Sequence, residues 1–149
     1  MGYYLSAFFG KTEELRKIQK TYKSANLIEL HPCVSLIPLT EDLFDEINNF
    51  SATECLFNFE YLTTKSEDEI LTMVTDITLA YVEAEYFGGQ GGQSAIIWKN
   101  GKRDSEFIRD SQSINKVLKS FGVIAEANKD EFDTVGLSRH RHTRDWLES

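Results

Sequence analysis

The chain has 149 residues, of which 41% are hydrophobic and 12% aromatic, and its net charge is −8. This composition predicts one packed domain covering residues 1–149 and excludes a disordered chain. No apolar run approaches the roughly 18 residues of a membrane span. The N-terminus lacks the basic region of a secretory leader, so we expect a cytoplasmic protein.

The negative charge is concentrated in the middle of the chain. Residues 1–26 carry five basic and two acidic side chains, whereas residues 27–100 carry thirteen acidic side chains and two lysines. Residues 101–149 carry nine of each sign. An acidic field repels nucleic acid and anionic membranes and attracts basic proteins. We therefore predict a basic partner and neither a nucleic acid nor a membrane partner, although an acidic surface can also serve solubility alone.

The two cysteines, Cys33 and Cys55, are far apart and form neither a disulfide framework nor a metal-binding spacing. We expect both to be reduced thiols. No P-loop, zinc spacing, EF-hand loop or kinase signature occurs. The sequence therefore predicts no metal site and no cofactor.

The first half of the chain alternates extended and helical patterns. Strands are predicted at residues 3–9 and 34–38, with a short extended piece at 27–30. Helices are predicted at residues 12–24, with Thr12 as N-cap, and at 41–49, capped by Thr40. The alternation from Phe57 to residue 62 favours another strand, while a helical reading stays open. Ser66 and Glu69 form a capping box that predicts a helix containing Ile70, Leu71 and Val74.

The second half predicts an antiparallel meander followed by helices. Strands are predicted at residues 77–87, 93–99 and 102–108, and Asn100-Gly101 is a strong turn signal. A helix capped by Ser113 ends at Gly122, and short helices are predicted at 131–135 and 143–147. The sequence thus predicts an α+β fold, with a mainly antiparallel sheet of about four to six strands and helices packed on one side.

A glycine-rich hairpin stands out in the predicted meander. Gly88, Gly89, Gly91 and Gly92 surround Gln90, directly after the strand Ala80–Phe87. Such a run can hold a phosphate with backbone N–H groups. It lacks the Lys-Ser/Thr of a P-loop, however, and a strand follows it instead of a helix. We therefore expect positive φ angles in a five-residue hairpin loop or a bulge.

Two carboxylates share one face of the predicted strand before this hairpin. Side chains alternate along a strand, so Glu83 and Glu85 lie on the same side as Tyr81 and Phe87. Their spacing of roughly 6–7 Å suits a general acid and base on either side of a bond. The alternatives are a solvated sheet face, pairing with arginine, or a polar binding face.

A second cluster lies near the C-terminus, where Arg139, His140, Arg141, His142 and Arg144 fall within six positions. These side chains can bind phosphate or build an acid–base site. They can also fold back onto Glu83 or Glu85 as a latch that fixes the C-terminal segment to the sheet.

Two segments of the chain resemble a group of small uncharacterised bacterial proteins. One covers residues 80–93, and the other runs from Asp130 through the arginine and histidine cluster to Trp146. Some small bacterial proteins of this kind look like immunity proteins of polymorphic-toxin or contact-dependent systems. The resemblance covers about the last half of the chain and brings no catalytic residues with it. It implies an interaction protein that inhibits a toxin.

The predicted function is therefore a small acidic interaction protein, of the immunity type, that binds a toxin or another basic protein. Aromatic anchors such as Tyr86, Phe87 and Trp98 would stand beside the acidic surface. The alternative is a small enzyme that uses Glu83 and Glu85 with His140 or an arginine of the tail, in a concave pocket. The predicted binding residues are Glu83, Glu85, Tyr86, Arg139, His140 and Arg141.

Overall fold

A six-stranded antiparallel sheet forms the centre of the computed structural model, which describes residues 2–51, 53–56, 58–73 and 75–148. The spatial order of the strands is β2-β3-β1-β4-β5-β6. Their bounds are β1 Tyr3–Gly10, β2 Ile28–His31, β3 Val34–Pro38, β4 Thr78–Phe87, β5 Gln90–Lys99 and β6 Lys102–Phe107. The predicted α+β class and the antiparallel meander after residue 77 are confirmed.

Five α-helices and two 3₁₀ helices complete the described fold. They are α1 Thr12–Thr21, α2 Glu41–Ile47, α3 Thr64–Met73, α4 Ser113–Ser120, α5 Glu131–Val135, and the 3₁₀ helices Leu137–Arg139 and Thr143–Glu148. None of the helices in the described ranges has the length and apolar character required to cross a membrane.

The helices lie on both faces of the sheet, which corrects the prediction of one side. On β1, Leu5 and Ala7 belong to the core under α4 and α5, whereas Phe8 belongs to the core under α1, α2 and α3. Successive strand residues point to opposite faces, and β1 is buried on both from Leu5 to Gly10. A strand that is apolar on both faces needs a covering layer on each side.

Three helix starts differ from the prediction. α4 is capped by Gln112, so Ser113, the predicted cap, is its first residue. α1 begins after Lys11, and the Thr12 hydroxyl bonds instead to Ser35 Oγ at 2.6 Å. α3 begins at Thr64, because the preceding Thr63 Oγ1 accepts the Ser66 N–H at 3.0 Å. Thr63 therefore takes the N-cap role predicted for Ser66. Thr40 is confirmed as the cap of α2, since its hydroxyl accepts the Leu43 N–H.

The strand predicted for residues 57–62 does not form in the described residues. Its surroundings contain one isolated bridge, between Cys55 and Thr63. The N–H groups of Glu60 and Tyr61 donate to the side chain of Glu83 instead of to a neighbouring strand. A glutamate on β4 thus replaces strand pairing as the acceptor for this loop. Phe57 and Val74, which the predicted strand and helix include, lie outside the described residues.

The C-terminal segment completes the sheet beside β1. β3 pairs with β1 only from Ala7 to Gly10, which leaves the start of β1 open on that side. There the Tyr4 N–H donates to the Arg141 carbonyl at 2.7 Å, and the Ser6 N–H donates to Thr143 Oγ1 at 2.9 Å. These bonds place the 3₁₀ helix Thr143–Glu148 at the same end of the sheet as the Gly-rich hairpin.

Candidate functional site

An open cleft of about 1280 Å³ lies over one end of the sheet. Its floor is formed by two rows of side chains that run across β1, β4 and β5. Ser6, Glu83 and Ser94 form the first row, and Tyr4, Glu85 and Gly92 form the second. Beyond Glu83 this face carries Glu85, Gly92 and Gln90 beside the aromatic side chains of Tyr4 and Phe87, so it lacks a continuous apolar surface on which α1, α2 and α3 could pack.

Five segments form the walls of the cleft. Residues 40–45 at the start of α2 stand on one side, together with the loop around Asn58, Glu60 and Tyr61. The Gly-rich hairpin and the 3₁₀ helix Thr143–Glu148 close other sides, and Arg109 projects from the turn after β6. The wall residues come from parts of the chain more than 100 positions apart, which are joined by the sheet.

The cleft is strongly acidic. Six carboxylate side chains and two arginines, Arg109 and Arg144, line it; the carboxylates are Glu41, Asp42, Asp45, Glu60, Glu83 and Glu85. Across the described part of the chain, no lysine or arginine forms an ion pair with Glu83 or Glu85. No three histidine, cysteine or acidic residues of the described ranges are arranged to hold a metal ion. The uncompensated negative charge favours a positively charged ligand.

Glu83 is held by three hydrogen-bond donors. Its carboxylate accepts the Glu60 N–H at 2.7 Å, the Tyr61 N–H at 2.9 Å and the Tyr81 hydroxyl at 2.7 Å. Burial raises the pKa of Glu83 above its usual value, because the three donors that favour the charged form do not fully offset the loss of solvation. Glu83 thereby fixes the loop wall of the cleft to its floor.

Glu85, two residues further along β4, is exposed on the same face. Its carboxylate accepts no hydrogen bond and forms no ion pair with any residue that the structure describes. Its negative charge disfavours ionisation of the Tyr61 hydroxyl. The pKa of Tyr61 is raised first by burial and then by the charges of Glu60, Glu83 and Glu85. Glu85 is thus an available anion in the floor of the cleft.

Exposed apolar side chains lie around this acidic floor. Among the described residues five large hydrophobic side chains are exposed, and three of them line the cleft. These three are Tyr61 at 50% exposure, Phe87 at 66% and Leu147 at 42%. Apolar groups next to a charged centre are typical of protein-binding surfaces, where aromatic side chains serve as anchors.

Comparisons with protein-family models, curated proteins and solved structures found no match.

The structure brings together part of the predicted site. Glu83, Glu85 and Phe87 share the cleft, whereas Tyr86 faces the opposite side of the sheet beside Tyr3. Trp98 is fully buried, and its indole N–H donates to Glu67 Oε2 at 2.9 Å. Of the predicted aromatic anchors, only Phe87 is available at the cleft.

The predicted tail residues lie away from the cleft lining. Arg139 stacks over the Trp146 ring at 5.2 Å and donates to the Gly136 carbonyl, and the His140 ring meets Trp146 edge-on at 4.6 Å. Arg141 contributes its backbone carbonyl to Tyr4. The C-terminal segment is therefore fixed to the sheet by backbone bonds and Thr143. Among the described residues, no arginine–glutamate latch forms there.

Two arginines line the cleft, Arg109 and Arg144. Arg144 belongs to the predicted C-terminal cluster but not to the predicted binding residues, whereas no sequence pattern pointed to Arg109. The Arg109 backbone has a φ of 52°, a strained value for a residue with a side chain, and its N–H donates to Ser94 Oγ at 3.0 Å. Arg109 reaches the cleft because it lies in the turn directly after β6, and no local motif marks the end of that strand.

Proposed function

We propose that this protein is an interaction protein whose cleft binds a positively charged region of a partner protein. An immunity-type inhibitor that covers a basic surface of a toxin is the form of this function that the sequence resemblance favours. One observation supports the proposal. The concave site contains six carboxylates and two arginines, and the exposed side chains of Tyr61, Phe87 and Leu147 lie around it.

Charge and apolar surface have separate roles in this proposal. The carboxylates at the mouth, such as Glu41 and Asp42, accelerate encounter with a basic partner and exclude acidic ones. The exposed side chains of Phe87 and Tyr61 provide apolar area that becomes buried on binding. Affinity should therefore fall with added salt without vanishing, because only the electrostatic part is screened.

A small enzyme is the second candidate, and the raised pKa of Glu83 beside Glu85 in a cleft favours it. Against it, three donors already occupy Glu83, and His140 packs on Trp146 outside the cleft lining. Turnover of model esters, phosphoesters or glycosides that disappears in Glu83→Gln would support the enzyme and contradict a purely binding role.

The binding proposal is tested with a fluorescent octa-arginine peptide and an octa-glutamate control. The triple variant E41Q/D42N/D45N removes three carboxylates from the wall of the cleft. The matched control E13Q/E29Q/D68N removes three exposed carboxylates elsewhere and changes the net charge equally. We expect the cleft variant to weaken octa-arginine binding at least tenfold and the control to change it less than twofold.

If both triple variants weakened octa-arginine binding equally, the peptide would be attracted by net charge alone, and binding in the cleft would be contradicted. Chemical-shift perturbation with the same peptide gives an independent readout, since binding in the cleft should move the amide signals of Glu85 and Phe87 more than those of Ile124, which is exposed elsewhere.

A further inference from the structure

The outer edge of β5 is open at the tip of the Gly-rich hairpin. β5 pairs with β4 along its whole length, from Gln90 to Lys99. β6, on the other side, pairs only with Ala95–Lys99, and the Asp110 N–H reaches the Gln93 carbonyl at 3.1 Å. Within the described ranges, no strand covers the edge of residues 90–92. An uncovered strand edge is a template for pairing with another chain.

Gly92 lies at this edge although its backbone does not require glycine. Its φ lies outside the left-handed region, and a Cβ built there has no atom within 4 Å outside its immediate neighbours. Gly91 differs, because its φ is 146° and a Cβ would lie 1.8 Å from the Glu85 carbonyl oxygen. A glycine inside a strand often marks a site where another backbone approaches closely. At Gly92 the missing side chain leaves the floor of the cleft open directly beside this edge.

Two cavities flank the open edge, one on each face of the sheet. The acidic cleft lies on the face of Glu85. On the opposite face is a pocket of about 190 Å³, lined by Tyr86, Phe132 and Asp130 among others. Gln93 borders both cavities. A strand added at this edge sends alternate side chains to the two faces, and therefore into the two cavities.

We propose that an extended segment of the partner adds to the sheet beside residues 90–92 of β5. Its backbone pairs with the open edge, its basic side chains enter the acidic cleft towards Glu85, and the intervening small polar side chains enter the pocket beside Tyr86. This is strand addition, in which backbone hydrogen bonds contribute affinity and alternate side chains contribute specificity. It rests on the proposed function and specifies the form in which the partner is recognised.

The sizes and linings of the two cavities determine the predicted sequence pattern. The 190 Å³ pocket is below the volume of common ligand sites, and its mainly polar lining, with Gln93, Asn115 and Asp130, suits one small side chain that can form hydrogen bonds, such as threonine. The cleft is much larger and carries the uncompensated carboxylates. The expected partner segment therefore alternates arginine or lysine with a small polar residue.

The test uses an eight-residue peptide of alternating arginine and threonine, with capped ends, and a second peptide with the same composition in two blocks. Gly92→Val places a side chain in the floor of the cleft beside the open edge, in the path of the partner's basic side chains, without straining the backbone. Ser105→Val, which adds the same side chain on β6 away from the cleft, is the matched control. Thermal unfolding verifies that both variants fold.

We expect the alternating peptide to bind at least tenfold more tightly than the block peptide. Gly92→Val should weaken it at least tenfold, and Ser105→Val less than twofold. Methylation of every second peptide amide, on the edge that faces β5, should cause a similar loss because those N–H groups can no longer pair. The amide of Gly91, which alternation places on the same edge as the Gln93 carbonyl, should exchange more slowly with solvent in the complex.

Equal binding of the two peptides, or of wild type and Gly92→Val, would overturn strand addition. If E41Q/D42N/D45N still weakened binding in that case, the acidic cleft would stand and only the mode of recognition would be wrong. If the protein formed dimers in the absence of peptide and Gly92→Val dissociated them, the proposal would also be overturned, because a second copy of the chain would then occupy the edge.

Discussion

The Tyr81 hydroxyl donates a hydrogen bond to the carboxylate of Glu83 at 2.7 Å, between two residues on the same face of β4. Tyr81 is completely buried in the core under α1, α2 and α3, whereas Glu83 lies in the floor of the cleft. This bond marks the boundary between core and cleft. Through the same carboxylate it connects the buried core to the loop that carries Tyr61.

The stability of the protein should depend on pH in opposite directions through Glu83 and Glu67. The pKa of Glu83 is raised by burial, so its stabilising contribution is present when it is protonated and is lost as pH rises through its folded-state pKa. The free energy of unfolding of wild type minus that of Glu83→Gln should therefore decrease as pH rises above about 4.5, the ordinary value for a glutamate side chain.

Glu67 should show the reverse. Burial raises its pKa, but hydrogen bonds from Arg103 and Trp98 outweigh that effect and lower it overall. Its contribution is therefore present above the ordinary glutamate pKa and is lost as pH falls through the folded-state value. Denaturant titrations of wild type, Glu83→Gln and Glu67→Gln at pH values below and above about 4.5 measure how the free energy of unfolding changes with pH. If it changed in parallel for all three proteins, the two pKa shifts would be contradicted.

The ion pair of Glu67 and Arg103 should be a main stabilising contact between α3 and the β5–β6 hairpin. The Arg103 guanidinium donates to both carboxylate oxygens, at 2.5 and 2.7 Å, and the Trp98 indole donates to the same group. Glu67→Ala should cost about 2–4 kcal/mol, because the buried Trp98 N–H loses its acceptor.

The exposed pair of Lys129 and Glu126 is the control for this contact. Lys129→Ala should cost less than about 1 kcal/mol, as is usual for surface pairs. A double-mutant cycle of Glu67 and Arg103, measured by urea unfolding, isolates their coupling. A coupling energy near zero would mean that the geometry of the pair contributes no stability.

Thr143 should fix the C-terminal segment to β1. Its hydroxyl accepts the Ser6 N–H at 2.9 Å and lies 3.3 Å from the Tyr4 carbonyl oxygen. Thr143→Val keeps the shape and removes both contacts, so it should cost about 1–3 kcal/mol for the unsatisfied Ser6 N–H. Thr21→Val, on an exposed helix turn, is the control. Proteolysis after residue 140 should accelerate only in Thr143→Val.

The adjacent glycines of the hairpin should respond oppositely to alanine. Gly91→Ala should destabilise by more than about 2 kcal/mol, since its φ of 146° and the 1.8 Å approach to the Glu85 carbonyl leave no room for a Cβ. Gly92→Ala should be neutral or stabilise by about 0.5–1 kcal/mol. Thermal unfolding of both variants checks this contrast, and a large loss in Gly92→Ala would show that its backbone requires glycine.

Local patterns in the sequence were enough to predict most elements. Short β-rich runs predicted β1, β3 and β4, and Asn100-Gly101 forms its predicted turn with φ values of 53° and 75°. The Gly-rich loop is shorter than predicted: Phe87 pairs with Gln90, so Gly88-Gly89 form a two-residue turn. The predicted number of loop residues was wrong because glycine content does not show where pairing resumes.

The sequence alone also determined that Glu83 and Glu85 share a face, since strand periodicity is a local property of the backbone. Only the tertiary structure decided what surrounds them. Arg109, Arg144, Tyr61 and the start of α2 meet at the cleft because the sheet register and the pairing of residues 141–143 with β1 bring distant segments together. Tyr86, one residue from Glu85, faces away for the same periodic reason. Long-range pairing, which no local pattern encodes, turns two carboxylates on a strand into the floor of an acidic cleft.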